Sequence, residues 1–264
     1  MFEFLDRPTY SHRPHRTLPT LVAALSLGLS ATAADAQLPS PVELELVLAV
    51  DASGSVSSEE FALQILGFAD AFRDPEVILA IETVAARGIA VIEIQWANPS
   101  SQLVAVDWTL IRTHADALSF ADRIERAGRI MYGETAIRQA MTFSRQLIES
   151  NGYLGLRRII DISGDGPTNY GTPPDSTRDE LVERGFIING LAIANEFPDL
   201  EVYYRDHVIG GPGSFVVAAT DYEDFARAIR FKLLREILGD AVTQNRLKDQ
   251  VPDPEPILFA GGSN

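Results

Sequence analysis

Residues 42–55 read VELELVLAVDASGS, a run of apolar, β-prone residues that ends in one aspartate and two serines. This run, apolar except for Glu45, predicts a buried strand over residues 44–50, and the small residues after it predict a turn. Asp51, Ser53 and Ser55 form a D-x-S-x-S cluster of one carboxylate and two hydroxyl groups. Such oxygen ligands suit a hard divalent cation such as Mg²⁺. The stretch therefore predicts a central strand with a metal site at its carboxyl end.

After this stretch, short apolar runs alternate with amphipathic segments, which is the pattern of an α/β fold with a doubly wound, mostly parallel sheet and helices on both faces. Ser57 and Glu60 form a capping box that predicts a helix ending before Asp74-Pro75. The further strands are predicted at 88–96, 102–107, 157–163, 186–194 and 214–219, and the further helices at 116–127, 136–150, 175–184 and around 225–237.

Two more oxygen-bearing residues are expected beside Asp51, because ligands of open parallel sheets bind outside the carboxyl ends of the strands. Thr135 lies in the turn YGET before a predicted helix, and Asp165 lies in SGDG directly after a predicted strand. Each has a purely structural alternative, since threonine is a common helix N-cap and Asp-Gly a common turn. Ser53 and Ser55 are free of that role if Ser57 and Glu60 cap the helix.

This ordered set resembles the metal-ion-dependent adhesion site (MIDAS) of von Willebrand factor type A (vWA) domains. That family has D-x-S-x-S after the first strand, a threonine in a glycine-containing loop before a central helix, and an aspartate after the fourth strand. Asp51, Ser53, Ser55, Thr135 and Asp165 match these positions in order. The serines and Thr135 would bind the ion directly through hydroxyl oxygens, and the two aspartates would supply charge directly or through waters.

The resemblance extends over residues 42–240 and implies a six-stranded sheet of order 3-2-1-4-5-6, with residues 102–107 as an antiparallel edge strand. It also implies Mg²⁺, or Mn²⁺ or Ca²⁺, as the bound ion and a protein partner whose Asp or Glu carboxylate completes its coordination. The late stretch HVIGGPGSFVVAAT (207–220) and the helix after it resemble a secreted bacterial subgroup of this family without an assigned function.

The first 36 residues have the features of a cleavable export signal, with a mildly basic start, a short apolar stretch and small residues before a cleavage point after Ala36. A membrane anchor or a disordered tail is the alternative. We expect a linker at 37–41, the vWA-like domain at 42–240, a polar tail at 241–264 and a periplasmic or secreted location.

Composition and charge restrict the possible chemistry and partners. The absence of cysteine excludes thiolate chemistry. The net charge of −15 disfavours nucleic acid or an anionic membrane as the partner. After signal cleavage, no membrane insertion is expected.

The predicted function is a non-enzymatic binding module that captures a protein partner through the metal ion. Two alternatives stay open. A metal-dependent hydrolase would also place a cation beside carboxylates, but the second acid of D-x-D phosphatases is missing, and the chain has no G-x-S-x-G, P-loop or H-E-x-x-H motif. In the other alternative, the ion only stabilises the fold and the partner binds to another surface.

Overall fold

A computed structural model describes residues 38–239, which form one six-stranded sheet of order β3-β2-β1-β4-β5-β6. Only β2 and β3 pair antiparallel, and the other neighbouring strands are parallel. The predicted fold class, strand order and antiparallel edge are therefore confirmed. The elements in chain order are β1 (Ser40–Asp51), α1 (Ser58–Arg73), α2 (Pro75–Thr83), β2 (Ile89–Trp96), β3 (Gln102–Ile111), α3 (His114–Arg126), α4 (Ile137–Glu149), β4 (Tyr153–Gly164), α5 (Asp175–Glu183), β5 (Ile187–Ile193), α6 (Leu200–Tyr203), a π-helical turn (Tyr204–Val208), β6 (Val216–Ala219) and α7 (Phe225–Leu238).

The central strand β1 is apolar on both sides because helices cover both faces of the sheet. Leu46 and Leu48 face a core built with α1, α2, α3 and α7. Val47 and Ala49 face a second core built with α4, α5 and α6. A strand buried on both faces needs a continuous apolar run instead of an alternating one, which explains the sequence pattern of β1.

Helix α1 begins as the sequence predicts. The Ser57 side chain accepts a hydrogen bond from the Glu60 amide, and the Glu60 carboxylate accepts one from the Ser57 amide. The predicted end before Asp74 is also confirmed, but the structure adds an unpredicted helix, α2, directly afterwards. Asp74 ends α1 and caps α2, with Pro75 in its first turn. A proline stops the preceding helix and is equally suited to start the next one.

The predicted leader 1–36 and tail 241–264 lie outside the described residues. Strand β1 begins at Ser40, within the range 37–41 where the sequence predicts a linker. None of the helices formed by residues 38–239 is both long and apolar enough to span a bilayer.

The core beside α7 contains an ion network that the sequence patterns did not indicate. Lys232 of α7 is fully buried, and its amine lies 2.7 Å from the Asp161 carboxylate of β4 and 2.5 Å from that of Glu236. Glu236 also accepts a hydrogen bond from Asn189 of β5. These contacts attach α7 to the sheet through charge as well as apolar packing.

Candidate metal centre

The carboxyl ends of β1 and β4 place the two predicted aspartates at one edge of the sheet. Asp51 is the last residue of β1, and Asp165 directly follows β4. The two strands are parallel neighbours, with Val50 paired to Ser163. Both aspartates are buried. The charge of Asp165 contributes, after burial, to the raised pKa of Asp51.

The turn after β1 brings both serines to these carboxylates. The Ser55 hydroxyl donates to Asp165 Oδ1 over 2.7 Å, and the Ser53 and Ser55 hydroxyl oxygens are 3.2 Å apart. The Ser53 amide donates to Asp51 Oδ1 over 2.7 Å. Because Ser57 caps α1, these serines are not needed for capping, as the sequence predicts. Four of the five predicted residues are thus joined by direct hydrogen bonds.

Thr135 reaches the same edge through its main chain. Its amide donates to Asn169 Oδ1 over 2.8 Å, and its carbonyl accepts from the Asn169 amide over 3.1 Å. Two residues earlier, the Gly133 carbonyl accepts from the Gly54 amide over 2.7 Å. Helix α4 has no side-chain N-cap hydrogen bond, so the alternative role of Thr135 as an ordinary cap is not realised. Thr135 is also buried, so its hydroxyl is shielded from bulk solvent.

We call Asp51, Ser53, Ser55, Thr135 and Asp165 the oxygen cluster. Its two carboxylates have no ion-pair partner among the described residues. Burial, and then the charge of Asp165, raises the pKa of Asp51 to about 7, and burial also raises the pKa of Asp165. Protein groups alone therefore do not compensate two negative charges at this position.

An arginine side chain that no sequence motif indicates binds the turn that carries the two serines. Arg129 donates to the carbonyls of Ala52, Ser53 and Val56 over 2.9, 2.5 and 2.6 Å. Its guanidinium group lies over the ring of Tyr132, at 3.9 Å from the ring centroid. Because one planar guanidinium group donates to all three carbonyls, it holds the turn in place without a bound ligand. No spacing rule links Arg129 to residues more than seventy positions earlier.

Two buried tyrosine side chains, which no sequence motif indicates, lie beside the two carboxylates. The Tyr222 hydroxyl donates to Asp165 Oδ2 over 3.0 Å. The buried Tyr204 hydroxyl and Asp51 Oδ2 both lack a hydrogen-bond partner among the described residues, and both lie beside Gly164. A Cβ atom at Gly164 would be 2.7 Å from the first and 2.8 Å from the second. Burial raises the pKa of Tyr204 well above its usual range, so the phenol keeps its proton.

The donor set fits a hard cation held by few charges. Within the described part of the chain, no group of three or more His, Cys, Asp or Glu side chains could hold a metal. The oxygen cluster has only two carboxylates, and its other oxygens are hydroxyls, which bind Mg²⁺, Mn²⁺ or Ca²⁺ in preference to softer ions. Gly54 and Ser55 are exposed, which leaves one side of the cluster open to solvent. Asp51 Oδ2 supplies a buried, unpartnered acceptor.

Several solved structures share the fold of this chain at low sequence identity. Proximal thread matrix protein 1 from the mussel byssus has a TM-score of 0.56 and 16% identity, over 76% of this chain and 48% of that one. The pilus adhesin SpaC from Lactobacillus rhamnosus GG has a TM-score of 0.54 and 11% identity, over 76% and 31%. A von Willebrand factor type A protein from Catenulispora acidiphila has a TM-score of 0.51 and 13% identity, over 75% and 43%.

The chain has the fold of a von Willebrand factor type A domain, and it spans less than half the length of each of these proteins. Residues 41–241 match the family model described as "Protein of unknown function (DUF1194)", and the chain belongs to that family. No curated protein sequence matches it significantly.

Proposed function

We propose that this protein is an exported, non-enzymatic vWA-type binding module that captures a protein partner through a divalent cation, with Mg²⁺ as the expected ion. Asp51, Ser53, Ser55, Thr135 and Asp165 would hold the ion at the carboxyl edge of the sheet. The partner would supply an Asp or Glu carboxylate to a coordination position on the solvent side.

One observation carries the proposal: two buried aspartates end neighbouring strands, and neither has an ion-pair partner among residues 38–239. The raised pKa of Asp51, to about 7, expresses this electrostatic cost. A divalent cation would reverse it, because the ion would be the largest local charge and would favour both ionised carboxylates. The unpartnered Asp51 Oδ2 would also gain a contact, directly or through a coordinated water.

The neutral hydroxyls determine what such an ion would do. Two carboxylates would balance its charge, while hydroxyl ligands would leave it electrophilic toward a further anionic oxygen. The exposed Gly54 and Ser55 leave room for that oxygen. The chain has no cysteine, and His207 contacts Asp175 instead of the oxygen cluster. This arrangement favours capture of a carboxylate over catalysis.

A metal-bound relative gives further support. One structure of proximal thread matrix protein 1, with a TM-score of 0.53 and 13% identity, is described with zinc occupying its MIDAS motif. The similarity covers 75% of this chain and 46% of that protein.

The proposed export rests on residues 1–36, and mass spectrometry of the exported product would test cleavage after Ala36.

Calorimetric titration with Mg²⁺ and Mn²⁺ tests the metal site directly. We expect saturable binding by the wild-type protein, and binding weakened at least about 10-fold in Asp51→Asn. Asp107→Asn removes an exposed carboxylate from β3 and should bind as the wild type does. The titration is repeated with acetate as a stand-in for the partner's carboxylate.

The outcomes separate the proposal from its alternatives. Absence of saturable binding with and without acetate would refute the metal site. If Asp51→Asn loses both metal binding and the folded state, as measured by circular dichroism, the result would support a purely structural ion. Loss of metal binding with the fold intact supports a metal site that the fold does not require, which is what the proposed function needs.

A further inference from the structure

Three exposed aromatic side chains belong to loops that contact the oxygen cluster. The exposed fractions of Tyr132, Tyr170 and Phe197 are 62%, 51% and 44%. A single exposed aromatic residue is ordinary, but several around one polar centre indicate an interaction surface. We call these three residues the aromatic rim.

Each residue of the rim belongs to a loop that contacts the cluster. Tyr132 precedes Gly133, whose carbonyl binds the Gly54 amide between the two serines. The Tyr170 amide lies 3.4 Å from the Thr135 carbonyl. The Phe197 ring packs on Gly166, where a Cβ atom would be 3.5 Å from it. The same contacts that assemble the cluster therefore also position the rim.

A pocket lies on the Phe197 side of the rim. It has a volume of about 260 Å³ and a mostly apolar lining, formed by Pro167, Phe197, Pro198, Asp199, Leu200 and Tyr203. The Tyr203 hydroxyl accepts a hydrogen bond from the Thr168 amide over 3.2 Å, which holds the pocket wall against the loop after Asp165. This volume is sufficient for one large aliphatic or aromatic side chain.

The charge beside the pocket is negative. Glu196 and Asp199 flank Phe197 and are exposed, and Glu134 is exposed next to Thr135. A ligand that places an apolar group in the pocket would bring its next residues to these carboxylates. Charge complementarity therefore favours Lys or Arg there.

We propose that the partner segment carries a carboxylate for the metal, a bulky apolar residue one or two positions away for the Phe197 pocket, and a basic residue beyond it. This proposal rests on the proposed function of the metal site. The two groups should be close together in the peptide, because Phe197 packs on Gly166, the residue directly after Asp165. Neighbouring residues of an extended peptide are about 3.4 Å apart along its axis, so the proposed spacing is one or two positions.

Selection from a random peptide library displayed on phage tests this specificity, with the full chain as bait in Mg²⁺ and in EDTA. We expect Mg²⁺-dependent binders to have Asp or Glu with Phe, Leu, Ile or Met within two positions, followed by Lys or Arg. Selection on Phe197→Ser should keep the carboxylate and lose the apolar preference. The selected peptide should bind that variant at least about 10-fold more weakly in calorimetry. Leu103→Ser, at an exposed apolar position of β3, is the matched control and should select as the wild type does.

Two results would overturn the proposal, and they differ. Mg²⁺-dependent peptides that share a carboxylate but no apolar neighbour, or that are the same for Phe197→Ser, would overturn the specificity and leave the metal-dependent function standing. Absence of any peptide that distinguishes Mg²⁺ from EDTA would overturn the proposed function and this inference together.

Discussion

Glu93 should make the stability of this protein fall as the pH rises. The residue lies in the middle of β2, is fully buried, and has no hydrogen-bond partner for either carboxylate oxygen among the described residues. Burial raises its pKa from 4.5 to about 8. Glu93→Gln keeps the shape of the side chain and removes the ionisation, so it isolates this effect.

The sign follows from proton binding in the two states. Between pH 4.5 and about 8 the folded protein holds the Glu93 proton while the unfolded chain releases it. The contribution of Glu93 to the free energy of unfolding therefore decreases with pH across this window. The slope reaches 1.36 kcal/mol per pH unit only between the two pKa values, so the loss between pH 5 and pH 8 amounts to about 3.5 kcal/mol. For a domain of this size that corresponds to a Tm difference of roughly 10 °C.

Thermal and urea unfolding of both proteins between pH 5 and pH 8 would measure this difference. We expect Glu93→Gln to be close to the wild type at pH 5 and progressively more stable toward pH 8. The other acidic groups are common to both proteins and cancel in the comparison. Glu82→Gln, at an exposed position, controls for the change in net charge. A stability difference that stays constant with pH would refute the reasoning.

Two further predictions concern buried contacts. Gly164→Ala places a Cβ atom 2.8 Å from Asp51 Oδ2 and 2.7 Å from the Tyr204 hydroxyl, so it should displace the carboxylate and weaken Mn²⁺ binding at least about 10-fold in calorimetry. Gly152→Ala, where a Cβ atom meets nothing within 4 Å, is its control, and equal affinities would contradict the expectation. Lys232→Met leaves the buried Asp161 and Glu236 without their cation, and urea unfolding should show a loss of about 3–5 kcal/mol. A loss below 1 kcal/mol would show that the network is not needed for stability.

Local sequence patterns were sufficient for most strands and for the start of α1. The capping box at Ser57 and Glu60 involves residues three positions apart, so neighbouring amino acids determine it. The same local rules predict the end of α1 correctly but miss α2, because a proline that stops one helix also suits the first turn of the next. They also missed α6 and the π-helical turn, whose residues are stabilised by packing on β5 and whose sequence has no clear helical period.

The sequence predicts where the strands lie in the chain more accurately than it predicts their first and last residues. β4 begins at Tyr153, four residues before the predicted start, and pairs there with the first residues of β1. Leu154 and Leu156 are exposed in this part of the strand. Strand pairing, which depends on a partner more than one hundred residues away, extends β4 beyond the continuously buried run that the sequence shows.

The sequence by itself determined the α/β class and the central strand, because these follow from periodicity. The ordered motif that resembles a vWA metal site predicts the five residues of the oxygen cluster, and their role as metal ligands stays a prediction. Only the tertiary structure decided what surrounds them: Arg129 on the serine-bearing turn, Tyr204 beside Asp51, and Phe197 on the residue after Asp165. These contacts join loops far apart in the chain. Their existence depends on which strands are neighbours in the sheet and on how tightly the loops at one edge pack, and no local pattern encodes that arrangement.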